Sequence, residues 1–151
     1  MRSAVAGEGA VHKMPQMVVS LPWPPRAASP NARAHWATVH RARSKYRADA
    51  RILAIAAGAI DFSRTLPKGV ALRVTLRVYP PDKRRRDWDN IIASLKSGLD
   101  GIADALGIDD SLFRLAIDML PLPVKGGRID IVIDADGSQT SNFHRCHFDQ
   151  L

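Results

Sequence analysis

Two aspartates two residues apart, Asp87 and Asp89, directly follow four consecutive cations, Lys83-Arg84-Arg85-Arg86, with Trp88 between the acids and Asn90 after them. A second acidic pair, Asp109-Asp110, comes later in the chain. Carboxylates brought together repel unless something neutralises them. Mg²⁺, which takes one or two carboxylates and fills its shell with water and phosphate oxygens, does so. Phosphodiester hydrolysis uses such parts: a hard cation to polarise the phosphate and activate water, and cationic side chains to offset charge on the phosphoryl and leaving oxygens. Nothing in the predicted core supplies His and Cys at zinc-like spacing. On these residues alone three readings stay open: a metal-dependent phosphodiesterase, a non-catalytic nucleic-acid-binding module, or a structural role in which Asp87, Asp89 or Asn90 caps a helix.

Lys96 lies seven residues after Asp89, two helical turns, so Asp89, Ala93, Lys96, Asp100 and Asp104 trace one polar stripe. Its ammonium either serves the phosphate chemistry or forms an ordinary surface pair with Asp100. Arg43, Arg47 and Arg51 recur at i, i+4 and i+8, a spacing near 6 Å that suits successive phosphates or a solvated helix face. Asn31 and Trp36 read either as a turn cap and a core filler or as DNA contacts. Trp88 reads as an apolar anchor for its loop rather than as a base-stacking wedge. His144, Cys146 and His147 are three zinc-type ligands in a polar tail, where such residues are more often uninvolved.

Positioning these groups falls to a few elements. Met17 to Leu21 is a short predicted strand stopped by Pro22-Trp23-Pro24-Pro25. A helix is expected from Thr38, as N-cap, to Gly58, with Val39, Ala42, Tyr46, Ala50, Leu53 and Ala57 as its apolar stripe. Residues 69 to 79 alternate as a strand, with Val70, Leu72, Val74, Leu76 and Val78 on one face. A second helix is expected from about Asn90 or Ile91 to Leu106, with Ile92, Leu95, Leu99, Ile102 and Leu106 at 3-4 spacing and Gly107 to end it. Residues 112 to 120 and 128 to 134 read as strands, with hairpin chemistry in Lys125-Gly126-Gly127. The predicted order is β-α-β-α-β-β, a single small α+β domain with a small mixed sheet and two helices. Its bounds are residues 16–135, after an N-terminal extension over 1–15 expected to be disordered and before a polar tail over 136–151.

At 151 residues the chain is long enough for one hydrophobic core. Its single cysteine excludes an intrachain disulfide. No apolar run reaches the roughly 18 residues of a membrane span, and no secretory signal is evident, so a cytoplasmic protein without a membrane partner is expected. The absence of a Gly-rich phosphate loop, of G-x-S-x-G and of H-E-x-x-H argues against a nucleotide cofactor, a serine hydrolase and a zincin. Residues 1–86 carry 17 bases and 4 acids, net +13, whereas residues 87–151 carry 5 bases and 11 acids, net −6. Arg outnumbers Lys 16 to 6, which favours a phosphate-bearing partner gripped by guanidinium forks.

Three blocks together resemble the RusA family of Holliday-junction resolvases, small endodeoxyribonucleases. They are Leu21-Pro22-Trp23-Pro24-Pro25 with Ser29-Pro30-Asn31 and His35-Trp36; Arg84-Arg85-Arg86-Asp87-Trp88-Asp89-Asn90; and Gly107-Ile108-Asp109-Asp110-Ser111. The resemblance implies a homodimer that nicks symmetric strands of a four-way DNA junction with Mg²⁺ or Mn²⁺. It implies Asp87, Asp89 and Asp110 as metal-holding catalytic carboxylates, with Asp109 the rival for the third place. The family's helix lysine falls at Ala93 here, and Lys96, one turn on, is the candidate replacement. Arg84, Arg85 and Arg86, with Asn31, Arg43, Arg47 and Arg51, are the expected DNA contacts. The alternative is a junction- or duplex-binding dimer without catalysis.

Overall fold

A strand whose alternate residues are all aliphatic must have one face covered, and a helix with isoleucine and leucine at 3-4 spacing provides the cover. The structure, a computed structural model, describes residues 14–135. Residues 1–13 and the tail over 136–151, with His144, Cys146 and His147, lie outside the described residues. The elements are β1 (Gln16–Pro22), α1 (Trp36–Ala56), α2 (Ala59–Arg64), β2 (Leu72–Tyr79), α3 (Trp88–Leu106), β3 (Phe113–Met119) and β4 (Arg128–Ala135), with 3₁₀ turns at Arg26–Ala28 and Asp110–Leu112. They form a small α+β domain with a four-stranded mixed sheet and three helices rather than two. The additional helix is α2. Gly58 takes a left-handed conformation, φ +95°, that ends α1 and opens α2, and six residues are too few to show a helical period in sequence.

The sheet order is β1-β4-β2-β3, with β2 and β3 parallel and β4 antiparallel to both β1 and β2. The hairpin expected at Lys125-Gly126-Gly127 therefore does not form, because β4 is inserted between β1 and β2 instead of pairing with β3. The crossover through α3 sets β2 and β3 parallel and leaves the other edge of β2 open. Ile129, Ile131 and Ile133 of β4 reach full burial in that central slot. The chain passes round the end of β2 to get there: the Leu120 N–H donates to the Val78 carbonyl at 3.0 Å and the Val124 N–H to that of Pro80 at 2.9 Å.

Met17, Val19, Leu21, Leu72, Val74, Leu76 and Val78 are buried with the isoleucines of β4, so the apolar strand face is core and is spoken for. Every residue of the expected α3 stripe is buried. α1 differs from expectation twice. It begins three residues early, capped by His35 rather than Thr38, with the His35 Nδ1 accepting from the Ala37 N–H at 3.3 Å. Its buried line ends on Ala54, while Leu53 is 37% exposed and Ala57 faces solvent. An α-helix drifts from the chosen spacing over five turns, and small alanines fit the tight approach to α3. Gly98 and Gly101 permit that approach, since a Cβ at Gly98 would meet the Tyr46 ring and one at Gly101 the Arg47 carbonyl oxygen. The Tyr46 hydroxyl donates to the Pro22 carbonyl at 2.8 Å, tying α1 to the end of β1, and burial pushes this phenol well above its ordinary pKa.

Candidate functional site

Pro80-Pro81 stops β2, and the charged segment must turn before α3 can start. Asp82 organises that turn. Its Oδ1 accepts from the Arg84 N–H at 2.9 Å and lies 2.9 Å from Arg86 Nη2, while Arg86 Nη1 donates to the carbonyls of Asp82 and Arg84 at 3.1 Å each. The Arg84 N–H foremost, and the Arg86 guanidinium after it, hold the Asp82 carboxyl below the usual carboxylate range. The same guanidinium stands 5.3 Å from the centre of the Trp23 ring. The basic run thus divides: Arg86 is half-buried and locked, Arg84 is exposed beside Asp82, and Arg85 has no hydrogen-bond or ion-pair partner among the described residues.

Between this turn and the proline-rich segment after β1 lies an open cleft of ≈ 790 Å³. Trp23, Pro24, Pro25, Ala32 and Ile91 supply apolar wall, and Arg26, Arg33, Arg85, Asn31 and Asn90 supply polar groups. Asp87 stands on its rim as the N-cap of α3 but makes no side-chain cap bond. Neither the Asp87 nor the Asp89 carboxylate has a hydrogen-bond or ion-pair partner among the described residues. Asn31 lines the cleft, whereas Trp36 is no core filler: it is 74% exposed and stands 5.6 Å from the His35 ring. Trp88, at 49% exposure, is not a buried anchor either. Trp23 holds that place, packed so close to Gly127 and Pro81 that a Cβ on Gly127 would collide with the indole.

Further along α3, Lys96 Nζ donates to Asp100 Oδ1 at 3.2 Å and to Asp110 Oδ2 at 3.0 Å. Burial on its own lowers the Lys96 pKa, but the hydrogen bonds to Asp110 and Asp100 outweigh it and the net shift is upward. Asp109 is spent differently: its Oδ1 caps the 3₁₀ turn by accepting from the Ser111 N–H at 2.8 Å, which holds its carboxyl below the usual range. Of the two rivals, Asp110 is therefore the one facing the lysine. Arg47 grips Asp104 bidentately, Nε to Oδ2 at 2.7 Å and Nη2 to Oδ1 at 2.9 Å. Arg43, Arg47 and Arg51 are thus not three equivalent DNA contacts, because one is engaged across the α1–α3 interface.

The structure brings Lys96, Asp100 and Asp110 together and sets Arg85, Asn31 and Asp87 around one cleft. Asp89 is about 10 Å up the helix axis from Lys96. No three His, Cys, Asp or Glu side chains gather into a metal-holding group among the described residues, so Asp110 is not grouped with Asp87 and Asp89. The donor chemistry of Asp87 and Asp89 nonetheless suits Mg²⁺ or Mn²⁺: two uncommitted carboxylates with room for water and phosphate oxygens. Arg26, Arg33 and Asp82 escaped the sequence reading. The first two flank the Ser29-Pro30-Asn31 block, a signal that was available, whereas the role of Asp82 depends on the fold of the turn.

No family model matches the chain. It is 38% identical over 125 residues to an uncharacterized protein of Xylella fastidiosa strain Temecula1, covering 82% of this chain and 80% of the relative. The chain belongs to that protein's family. A match of this span includes residues 31–120 wherever it begins, so the shared region takes in Asn31, the basic turn, the carboxylates and Lys96. Among the described residues no helix is long and apolar enough to cross a membrane.

Proposed function

We propose that the protein is a divalent-metal-dependent endodeoxyribonuclease of RusA type that resolves four-way DNA junctions as a homodimer, in the cytoplasm. The observation that carries the reading is the pair of uncommitted carboxylates at the start of α3 beside an arginine-lined cleft. The resemblance of the three sequence blocks supports it. In this reading Asp87 and Asp89 would hold Mg²⁺ or Mn²⁺, while Asp110, which is not grouped with them, stays paired with Lys96. The bound cation supplies Lewis acidity at the scissile phosphate. Arg85 binds phosphate oxygens, and Arg86, fixed by Asp82, keeps the cleft wall cationic. Lys96 holds a proton at Nζ near Asp110 and offsets charge on the leaving oxygen. Paired incisions related by a dyad call for a two-fold assembly, hence the homodimer.

The pairing of Asp110 with Lys96 favours one second reading, a junction-binding dimer without turnover. Cleavage separates the two. Purified protein is incubated with a four-way junction, linear duplex and single strand of matched arm length, each with Mg²⁺ or EDTA, and its mass is taken by light scattering. Paired symmetric nicks confined to the junction in Mg²⁺, from a dimer of about 33 kDa or twice 16.6 kDa, are expected. Tight junction binding without nicks in Mg²⁺ or Mn²⁺ would establish the binding protein instead.

A further inference from the structure

We infer that the cleft between the Pro24–Ala34 segment and the start of α3 receives one unstacked nucleotide of the bound strand, with its phosphate on the arginines and its base against the proline and alanine wall. This deepens the nuclease reading and rests on it for the source of the nucleotide, but the recognition argument stands on the cavity itself. A duplex backbone is convex and needs only a shallow cationic saddle, whereas this feature is concave and holds ≈ 790 Å³, a volume in the range of small-molecule sites.

Its chemistry is divided as a nucleotide is. Arg26, Arg33 and Arg85 line it, and none of their guanidiniums has a hydrogen-bond or ion-pair partner among the described residues. Three guanidiniums lining one cleft, none paired with a carboxylate, favour an anion, and the guanidinium fork suits phosphate. Pro24, Pro25 and Ala32 add apolar wall, an environment for a base rather than for bare phosphate. Asn31 and Asn90 carry the amides that read base edges by paired donor and acceptor bonds. Arg86 adds a guanidinium plane, held by Asp82 and seated over Trp23, of the kind on which unstacked bases rest. The location fits a substrate strand too. Asp87 borders the cleft, so a nucleotide in it places its neighbouring phosphate beside that carboxylate.

Binding is tested without metal and without turnover, so failure of cleavage and failure of this inference are distinguishable. Full-length ¹⁵N-labelled protein is titrated with thymidine 5′-monophosphate, deoxyadenosine 5′-monophosphate and inorganic phosphate at constant ionic strength. The expected result is saturable binding of the nucleotides at least tenfold tighter than phosphate, with shifts at the Trp23 indole and the Asn31 and Asn90 amides. Arg26→Ala combined with Arg33→Ala, with the amide spectrum otherwise unchanged, weakens nucleotide binding at least tenfold. Equal affinity for nucleotide and phosphate, or no saturable binding, would overturn the inference. A second arm asks for the source, using four-way junctions carrying 2-aminopurine at single positions beside the branch. Enhanced fluorescence at one position on adding protein, lost with Asn31→Ala and Arg85→Ala together at protein concentrations raised until the junction is again saturated, is expected. A probe dark at every position, with mononucleotide still bound, would overturn the assignment to a strand nucleotide in favour of a free one.

Discussion

A carboxylate at a helix start usually accepts a backbone N–H, and Asp87 does not, which leaves it and Asp89 available to a cation. Asp89→Asn keeps the shape and removes the charge. It is expected to abolish junction cleavage while leaving junction affinity unchanged or tighter, since a repulsive charge near phosphate is gone; loss of folding in circular dichroism would make the residue structural. Lys96 is held by acids on two sides. Lys96→Met is expected to slow single-turnover cleavage about 100-fold with binding preserved, a size typical of one charge-stabilising donor; an unchanged rate would reduce the lysine to a surface pair. The ion pairs also set a pH dependence. The Lys96 pKa is raised, so its stabilisation is complete below the ordinary lysine value and is lost only as pH climbs through the raised one. Arg47 lowers the pKa of Asp104, so that contribution is present above the ordinary carboxylate value and disappears as pH falls through the lowered one. The pair is half exposed, so Asp104→Asn should cost no more than about 1 kcal/mol at pH 7 in urea unfolding, and the gap should close towards pH 2.

Elements meet here through glycine as much as through leucine. α3 presents Gly98 and Gly101 to α1, and at Gly101 the neighbour is backbone, which has no rotamer to give way. Gly101→Ala gains helix propensity of under about 1 kcal/mol but must part the two helices, with a net loss near 2 kcal/mol or more expected in urea unfolding. Increased stability would show that α1 and α3 move apart freely. The consequence reaches the site, because α1 carries Arg47 towards Asp104 and Tyr46 towards the Pro22 carbonyl, at the entry to the cleft segment. At the other end of α3, Gly107 has φ +66° and ends the helix so that Asp109 and Asp110 turn back towards Lys96.

The whole molecule carries a formal net charge of +7. Part of the cationic excess is consumed internally, as Arg47 on Asp104 and Arg86 on Asp82 show. Salt dependence of junction binding reads what is left. The logarithm of the binding constant should fall linearly with that of salt concentration, and Arg85→Ala should reduce the slope by about 0.9 for one phosphate contact. Arg86→Ala should instead weaken binding through disorder of the turn, detected as loss of the Trp23 indole resonance from its native position. Equal effects of the two substitutions on slope and spectrum would show that the turn is not organised as described.

Local pattern determined much of this protein. The aliphatic alternation of β2, the 3-4 spacing of α3, the stop at Gly107 and the α+β class follow from side-chain periodicity and backbone allowance, which need only near neighbours along the chain. The acidic and basic residues at the start of α3 were likewise visible, with Asn31 and Lys96 as candidates. Sheet order was not, because Lys125-Gly126-Gly127 permits a turn without stating which strand edge lies beyond it; the parallel β2–β3 pair and the burial of Ile129, Ile131 and Ile133 decided that. Nor did the chain distinguish cations by role. Arg43, Arg47, Arg85 and Arg86 look alike in sequence, and only the positions of Asp104 and Asp82 separate a guanidinium that holds the fold from one left to face a ligand. Pairing of charges is a matter of distance in space, and residues 57 apart, such as Arg47 and Asp104, become neighbours only once the core has packed.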